Sequence, residues 1–511
     1  AAAERRRSLN RMTCILGLDI GTTSTIGILV RLPDTVLGVA SRPVTLTSLR
    51  PGWAEEDPEQ WWHNSCAVIG ELIATTNVDP AEIAGVGVTG MLPAVVLLDE
   101  NDRLLRPSIQ QSDGRAAAEV EELRAEINER AFLQKAGNGV NQQLVASKTR
   151  WIERYEPEIF AKIATVFGSY DYINWKLTGE KRIEQNWALE AGFVDIATDA
   201  LSPDLIALTH LPASAVPPKA ASHEVIGAVT AEAAAATGLK AGTPVVGGAA
   251  DMIASALAAG VTQEGQALLK FGGALDILVA TAKAAPDARM FLDYHLAPGL
   301  YMPNGCMSTG GSGLNWFAEN FAGGERAAAE AAGLTLHQHL DRLADAVPAG
   351  AGGVAIVPYF LGEKTPIHDP FARGTITGLS LNHTVGHVWR ALLEAYAYAA
   401  RHHIEVFRDM GHRPTQFLAS DGGANSRVWM QIAADVLQAP IQRLKGHPGS
   451  SLGAAWAAAV GVGAVSDWSG VGAFVEDGGV IAPDPAKAAA YDAGYVRFRA
   501  IYADLKPLFR E

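Results

Sequence analysis

The stretch Leu16-Gly17-Leu18-Asp19-Ile20-Gly21-Thr22-Thr23-Ser24 limits what this chain can become more than any other. An apolar run, Cys14 to Ile20, carries a carboxylate one residue from its end. A glycine and three hydroxyl residues then lead into a second run, Thr25 to Val30. This reads as strand, tight turn, strand. A carboxylate at the end of a buried strand is unfavourable unless something positive meets it. The turn at Gly21 exposes backbone N–H groups, which together with the hydroxyls of Thr22 and Thr23 can bind phosphate oxygens. A carboxylate beside such a loop is where Mg²⁺ would be held. An ordinary hairpin with Asp19 capping its turn fits the same nine residues, so both readings stay open on this stretch alone.

The pattern continues past a Pro33-Asp34 turn into a third strand, Val36 to Val44. A helix opens at Asp57-Pro58 and runs to about Thr76. Ile83 to Thr89 and Ala94 to Leu98 read as strands, and Asp113 to Ile127 as a helix. The order β-β-β-α-β differs from the strict alternation of a dinucleotide-binding fold. The second half opens in the same way. Ala267 to Phe271, a Gly272-Gly273 turn and Asp276 to Thr281 form a hairpin. A helix over Val385 to Arg408, a strand over Gln416 to Ser420 and helices from Asn425 and Ser451 follow. Two halves that start alike point to a duplication. The boundary is placed near Ala258–Gln263, giving domains 12–257 and 258–511, and a ligand cleft is expected between them.

Composition narrows the function. A net charge of −14 excludes general nucleic-acid coating and adhesion to anionic membranes. Cys14, Cys66 and Cys306 are too far apart in sequence for a zinc knuckle or a disulfide framework, which fits a reducing cytoplasm. The polar, basic stretch Ala1–Arg11 reads as a tail outside the fold.

Two further segments carry candidate chemistry. In Val245-Val246-Gly247-Gly248-Ala249-Ala250-Asp251 an apolar strand runs through small residues into a carboxylate at a helix start. Asp251 is either a general base, with the small residues leaving room for a substrate hydroxyl, or simply an N-cap. Ser420-Asp421-Gly422-Gly423-Ala424-Asn425 is a strand, a glycine loop and a helix start, where a flat ligand could approach the backbone and Asn425 could cap the helix. Gly85-x-Gly87-x-x-Gly90 spells a dinucleotide fingerprint but lies in a strand-like run without the following helix. Gly449-Ser450-Ser451-Leu452-Gly453 spells a hydrolase elbow, but Lys445 to Pro448 reads as loop, and Ser450 and Ser451 read as helix caps. His383 and His387 lack a metal-site glutamate, and the absence of a Gly-Lys pair excludes a Walker A loop.

Together these motifs resemble the FGGY family of carbohydrate kinases, over about Ile15 to Leu508. Lys148 and Trp151 fit part of its first signature. Gly374 to Leu379, His387 and Ala391 to Glu394 fit its second. Ser112-Asp113-Gly114-Arg115 and Asp171-Tyr172 are similar to its xylulokinase-like pentulose branch. The resemblance implies an α/β protein of two ribonuclease H-like domains, of the actin/hexokinase/Hsp70 superfold, flanking a central cleft. It implies ATP with Mg²⁺ and a small sugar or polyol acceptor, with no nucleic acid and no membrane, and it leaves a homodimer open. Asp251 would be the catalytic base and Asp19 the metal residue. Gly21, Thr22, Thr23, Gly272, Gly273, Gly422, Gly423 and Asn425 would hold the nucleotide, and Leu92, Pro93, Gln111 and Asp113 would line the acceptor site with Asp251. Two departures stand out. The second phosphate turn is Gly272-Gly273-Ala274, without the family's hydroxyls. Leu92-Pro93 and Gln111 replace a Met-His pair and a Trp, so the acceptor could be another ketose, a polyol or a sugar acid. A nucleotide-dependent sensor on the same fold remains the rival reading.

Overall fold

The computed structural model describes residues 13–446 and 449–510. The stretch Ala1–Arg11, read above as a tail, lies outside them, as do two residues of the segment read as a loop before Gly449. The chain separates into two units. The first contains the chain up to Thr262, the segment Ala282–Met302 and the stretch that carries the helix Ser450–Gly461. The second contains Gln263–Thr281, the chain from Pro303 through the strand Ile441–Gly446, and the chain from Val475 onward.

In the first unit, β1 (Cys14–Ile20), β2 (Ser24–Arg31) and β3 (Thr35–Pro43) form an antiparallel meander. β4 (Ile83–Gly90) runs parallel to β1 on its other side. Beyond it lie β5 (Val225–Ala228) and β6 (Pro244–Val246), while β7 (Ala249–Ala250) also pairs with β4. The order is β5–β6–β4–β1–β2–β3. β1 is apolar on both faces, with Ile15, Leu16, Leu18 and Ile20 all buried, because helices cover the sheet on both sides. On one side lies the helix Pro58–Thr76, capped by Asp57 through the Glu59 N–H at 2.9 Å and turning Trp61, Val68, Ile69 and Leu72 inward. A Cβ at Gly27 would stand 2.3 Å from Val68.

On the other side the helix Ser450–Gly461 lies with its backbone on the strands. Gly17 and Gly87 are register partners in β1 and β4. A Cβ at Gly17 would lie 2.0 Å from the Ser451 carbonyl, and one at Gly87 would lie 2.0 Å from that of Ala454. The helix in turn presents Gly453 to the Ala254 carbonyl of the helix Asp251–Ala258, where a Cβ would come within 2.1 Å. Within the literal fingerprint Gly85, Gly87 and Gly90, Gly87 is therefore a seat for helix backbone, while Gly85 faces the Val462 side chain and Gly90 the Ile20 carbonyl. A division of the chain after residue 257 would give the helix Ser450–Gly461 to the second unit, whereas these glycines bind it to the first.

The second unit repeats the plan. β8 (Gln266–Phe271), β9 (Leu275–Val279) and β10 (Tyr301–Met307) form the meander, and β11 (Gln416–Ser420) runs parallel to β8. β12 (Ile441–Gly446) runs parallel to β11, with β13 (Glu476–Ile481) antiparallel at the edge. Six of the seven strands of this sheet, in the order β10–β9–β8–β11–β12–β13, reproduce β3–β2–β1–β4–β6–β5 in both position and direction. The duplication read from the two opening hairpins thus extends through each sheet. The long helix Val385–Asp409 packs with Arg427–Leu437, and its buried Arg390–Glu394 pair also engages the Tyr491 hydroxyl at 2.7 Å.

Two helices start later than the sequence pattern predicts. The one expected from Asp113 begins at Ala117, because the Asp113 carboxylate turns inward to other partners. The one expected from Asn425 begins at Arg427, with Ser426 as its cap. Among the described residues no helix is long and apolar enough to cross a membrane.

Candidate active site

In the first unit, register brings the two key carboxylates to one end of one sheet. Asp19 is level with Thr89, and Thr89 with Ala249; one step further, Ile20, Gly90 and Ala250 are level. Asp251 follows Ala250 directly and opens its helix. With strands ~4.8 Å apart, Asp19 and Asp251 leave the sheet on strands roughly 10 Å apart, separated only by β4. Thr89 Oγ1 donates to the Ala249 carbonyl at 2.7 Å, which fixes that spacing.

Asp251 is the first helical residue, with Ala250 in the cap position, and its Oδ1 accepts the Met252 N–H at 2.6 Å. The small residues before it serve backbone packing. A Cβ at Gly247 would reach the Ala221 carbonyl at 2.3 Å. Gly248, at φ 101°, faces the Val88 carbonyl, 2.5 Å from where its Cβ would stand. Asn174 donates to the Gly247 carbonyl at 2.9 Å. Asp19 Oδ2 accepts the Ser450 hydroxyl at 2.5 Å. Sequence reasoning took Ser450 for a helix cap. It is instead the first residue of its helix, with Gly449 capping at φ 83°, and it is delivered to Asp19 by the glycine seat. Two residues of the segment read as a loop, Lys445 and Gly446, belong to β12, and Ser451 is buried inside the helix, so no nucleophile elbow forms.

The phosphate-turn candidates Gly21, Thr22 and Thr23 connect β1 to β2. Gly21 N–H donates to the Ser24 carbonyl at 3.0 Å, and Thr23 is exposed at the tip. Leu92-Pro93 leaves the end of β4, between the Asp19 and Asp251 strands. Ser169 Oγ holds the Met91 carbonyl there at 2.9 Å. Gln111 is half-buried. Asp113 is fully buried, and its oxygens are taken by Arg115 at 2.7 and 2.9 Å and by the Ala54 N–H at 2.6 Å. Arg115 also pairs with Glu55 at 2.7 Å and stacks on Trp53 and Trp151. Asp113 thus fixes the loop that carries Gln110 and Gln111 to the Trp53–Ala54 segment. Asp171, part of the pentulose-branch pattern, is likewise internal, accepting the N–H groups of Gly168 and Glu184 at 3.0 Å.

One neighbour of Asp251 escaped the sequence reading. Glu190 ends the helix Gln185–Glu190, and burial plus the charges of Asp293 and Asp251 push its carboxyl well above the usual range. Nothing in its local sequence, Ala-Leu-Glu-Ala-Gly, marks it out.

In the second unit, the Gly272-Gly273 turn and the Asp421-Gly422-Gly423 loop stand at the ends of adjacent parallel strands, β8 and β11. A Cβ at Gly272 would come 3.1 Å from Asp421 Oδ2. Gly423 is required by Phe271 and Trp429, which would stand 2.7 and 2.5 Å from a Cβ, and Gly422 faces open space. Asp421 holds φ 71°, ψ −173°, a region essentially reserved for glycine that costs about 1–3 kcal/mol and is typical of ligand loops. Asn425 is exposed and does not cap the next helix; Ser426 does, and also donates to Asp341 at 2.6 Å. Gly310-Gly311-Ser312, absent from the sequence reading, closes over the turn. The Gly311 N–H donates to the Gly272 carbonyl at 2.8 Å, and Ser312 Oγ donates to that of Gly273 at 2.8 Å. Its signal was two adjacent glycines before a helix, the mark of close backbone approach. His383 and His387 are structural: His387 completes the cap at Thr384, and His383 bonds the Gly352 carbonyl.

Two sheets that share a six-strand order, the first with two carboxylates at one end and the second with glycine turns, define the actin/hexokinase-like class of phosphotransferase fold. Known proteins place the chain within it. Residues 14–258 match the profile of the FGGY family of carbohydrate kinases, N-terminal domain, and residues 277–462 match the C-terminal domain of the same family. A xylulose kinase of Escherichia coli K12 is 29% identical over 496 residues, 96% of this chain and 99% of that one. A xylulose kinase of Bacillus subtilis is 28% identical over 88% of this chain and 89% of its own. The crystal structure of a xylulose kinase from Rhodospirillum rubrum superposes with a TM-score of 0.93 at 61% identity, covering 98% of this chain and all of that one. The chain belongs to the FGGY family of carbohydrate kinases, enzymes that phosphorylate sugars at the expense of ATP.

Proposed function

We propose that this kinase phosphorylates xylulose or a closely related ketopentose, with Asp251 as the general base. The acceptor follows from the names and extent of the relatives above. The chemistry rests on one observation, the strand register that sets Asp251 beside the Asp19 strand end. Phosphoryl transfer demands alignment and charge neutralisation more than covalent help. In this reading the first unit supplies the acceptor side. Asp251 takes the proton of the attacking hydroxyl, and the segments at Leu92-Pro93 and Gln111 border the sugar, with Asp113 holding the second of them in place. Gly21, Thr22 and Thr23 offer backbone and hydroxyl donors to phosphate. The second unit supplies backbone donors at Gly272 and Gly273, and a glycine surface at Gly422, Gly423 and Asn425 for the adenosine.

A magnesium ion arriving with the nucleotide fits the donor set. Asp19 is a single strand-end carboxylate, oriented by Ser450, and Mg²⁺ commonly takes one or two carboxylates and completes its shell with phosphate oxygens and water. Bound there, it would neutralise phosphate charge.

A coupled assay for ADP release against xylulose, ribulose, glycerol and gluconate tests the reading. Xylulose should give the highest kcat/KM. Turnover confined to glycerol or gluconate overturns the acceptor assignment, and nucleotide binding without turnover of any acceptor would favour the sensor.

A further inference from the structure

The helix Val145–Tyr155 presents Lys148 and Trp151 one turn apart, on one face. Trp151 lies under the Arg115 guanidinium, 4.9 Å from its ring centre, and meets Trp53 edge-on at 5.3 Å. Lys148 is wholly buried, an unusual place for an ammonium group. Its Nζ donates to the Gln110 carbonyl at 2.9 Å and to the Pro93 carbonyl at 3.3 Å. Pro93 belongs to one acceptor-bordering segment and Gln110 adjoins the other, so a single buried group joins the two. The Gln110 side-chain amide is itself buried, with neither polar atom bonded to protein, so the latch holds a residue still able to hydrogen-bond a hydroxyl-rich ligand.

We propose that Lys148 is the positioning residue of the acceptor-sugar site, setting the spacing of the Leu92-Pro93 and Gln110-Gln111 segments by bonding a carbonyl of each. This rests on the reading above that those segments border the acceptor. A lysine placed only to fill the core would need neither bond, and a methionine of similar length would replace it. Two charged groups act on Lys148: Asp113 favours its charged form and Arg115 opposes it, while burial dominates and brings its pKa down to about 7. The latch is therefore strongest below neutrality and weakens as pH rises.

The test uses the full-length enzyme. Hydrogen bonds to charged groups are strong enough that K148M should raise the KM for the acceptor by roughly 10-fold or more while the KM for ATP stays within about 2-fold. Equilibrium binding of xylulose to the wild type, followed by tryptophan fluorescence, should weaken several-fold as pH rises through about 7, and K148M should lose that inflection. If K148M does not fold, the wild-type pH series decides. An unchanged acceptor KM in K148M, or wild-type sugar binding flat through that pH range, overturns the proposal. Wild-type activity on another sugar class would instead overturn the xylulose reading, and the same measurements would then be made with that acceptor.

Discussion

The hairpins β1–β2 and β8–β9 occupy the same place in their sheets, each flanked by a parallel strand and closed by a three-residue turn. They differ in chemistry. One residue before the strand end stands Asp19 in the first and Lys270 in the second. The first turn is Gly21-Thr22-Thr23, rich in hydroxyls, and the second is Gly272-Gly273-Ala274, with none. The first strand is pressed by helix backbone at Gly17, whereas the second turn is gripped at its carbonyls by Gly311 and Ser312. One backbone device thus carries an acidic strand end and a hydroxyl-rich turn in one copy and a basic strand end and a hydroxyl-free turn in the other; the proposed function assigns the first to the acceptor side and the second to the nucleotide side. The duplication supplies the frame, and the two copies differ in the side chains at their strand ends.

If the acidic copy carries the chemistry, Asp251→Asn should show the largest effect. Removing a positioned base lowers kcat by about 10²–10⁴-fold, with ATP affinity nearly unchanged, as read by steady-state kinetics and nucleotide titration. Wild-type turnover in D251N would end the division proposed here. Asp19→Asn comes next. Losing one charged group aimed at the phosphates should cost on the order of 10²-fold in kcat and steepen the dependence on magnesium concentration. Equal losses from D19N and K270M would mean that the two hairpins are not specialised.

Packing separates the copies in a different way. Gly17→Ala drives a Cβ into the Ser451 carbonyl, so the helix Ser450–Gly461 must lift from the sheet, and denaturant unfolding should show a loss of about 2–4 kcal/mol. Gly273→Ala meets no atom within 4 Å and should stay within about 0.5 kcal/mol of wild type. Similar losses from both would show that the helix seat is not what ties that helix to the first unit.

Much of this frame was legible in the sequence. The meanders announced themselves because apolar runs, Gly turns and Pro33-Asp34 are local signals, and Asp19 and Asp251 stood out as carboxylates at strand or helix ends. What escaped depends on contacts distant in sequence. Ser450 looks like a cap until Gly17 and Gly87, more than 360 residues away, bring its helix onto the sheet beside Asp19. Asp113 looks like a helix start until Arg115 and Ala54 claim its carboxylate. The place of the helix Ser450–Gly461 in the first compact unit escaped for the same reason as Ser450, since no local pattern says which sheet a late helix will cover. Lys148 was noticed only as part of a signature; that it bonds the carbonyls of both Pro93 and Gln110 emerges from the fold alone.

The smallest predicted effect is the sharpest test of the two turns. The second turn lacks hydroxyls of its own, but Ser312 reaches across to the Gly273 carbonyl at 2.8 Å and so helps to fix the turn's shape. The first turn has Thr23 exposed at its tip and is already fixed by the Gly21–Ser24 bond within the hairpin. Ser312→Ala removes a single neutral hydrogen bond, which should raise the KM for ATP by about 3–10-fold and leave the acceptor KM unchanged. Thr23→Ala should change the KM for ATP by less than about 3-fold, because the turn geometry survives and its backbone donors remain. If T23A proves the costlier of the two, side-chain hydroxyls and not backbone donors bind the phosphates, and the hydroxyl-free second turn must then contribute less to nucleotide affinity than the first.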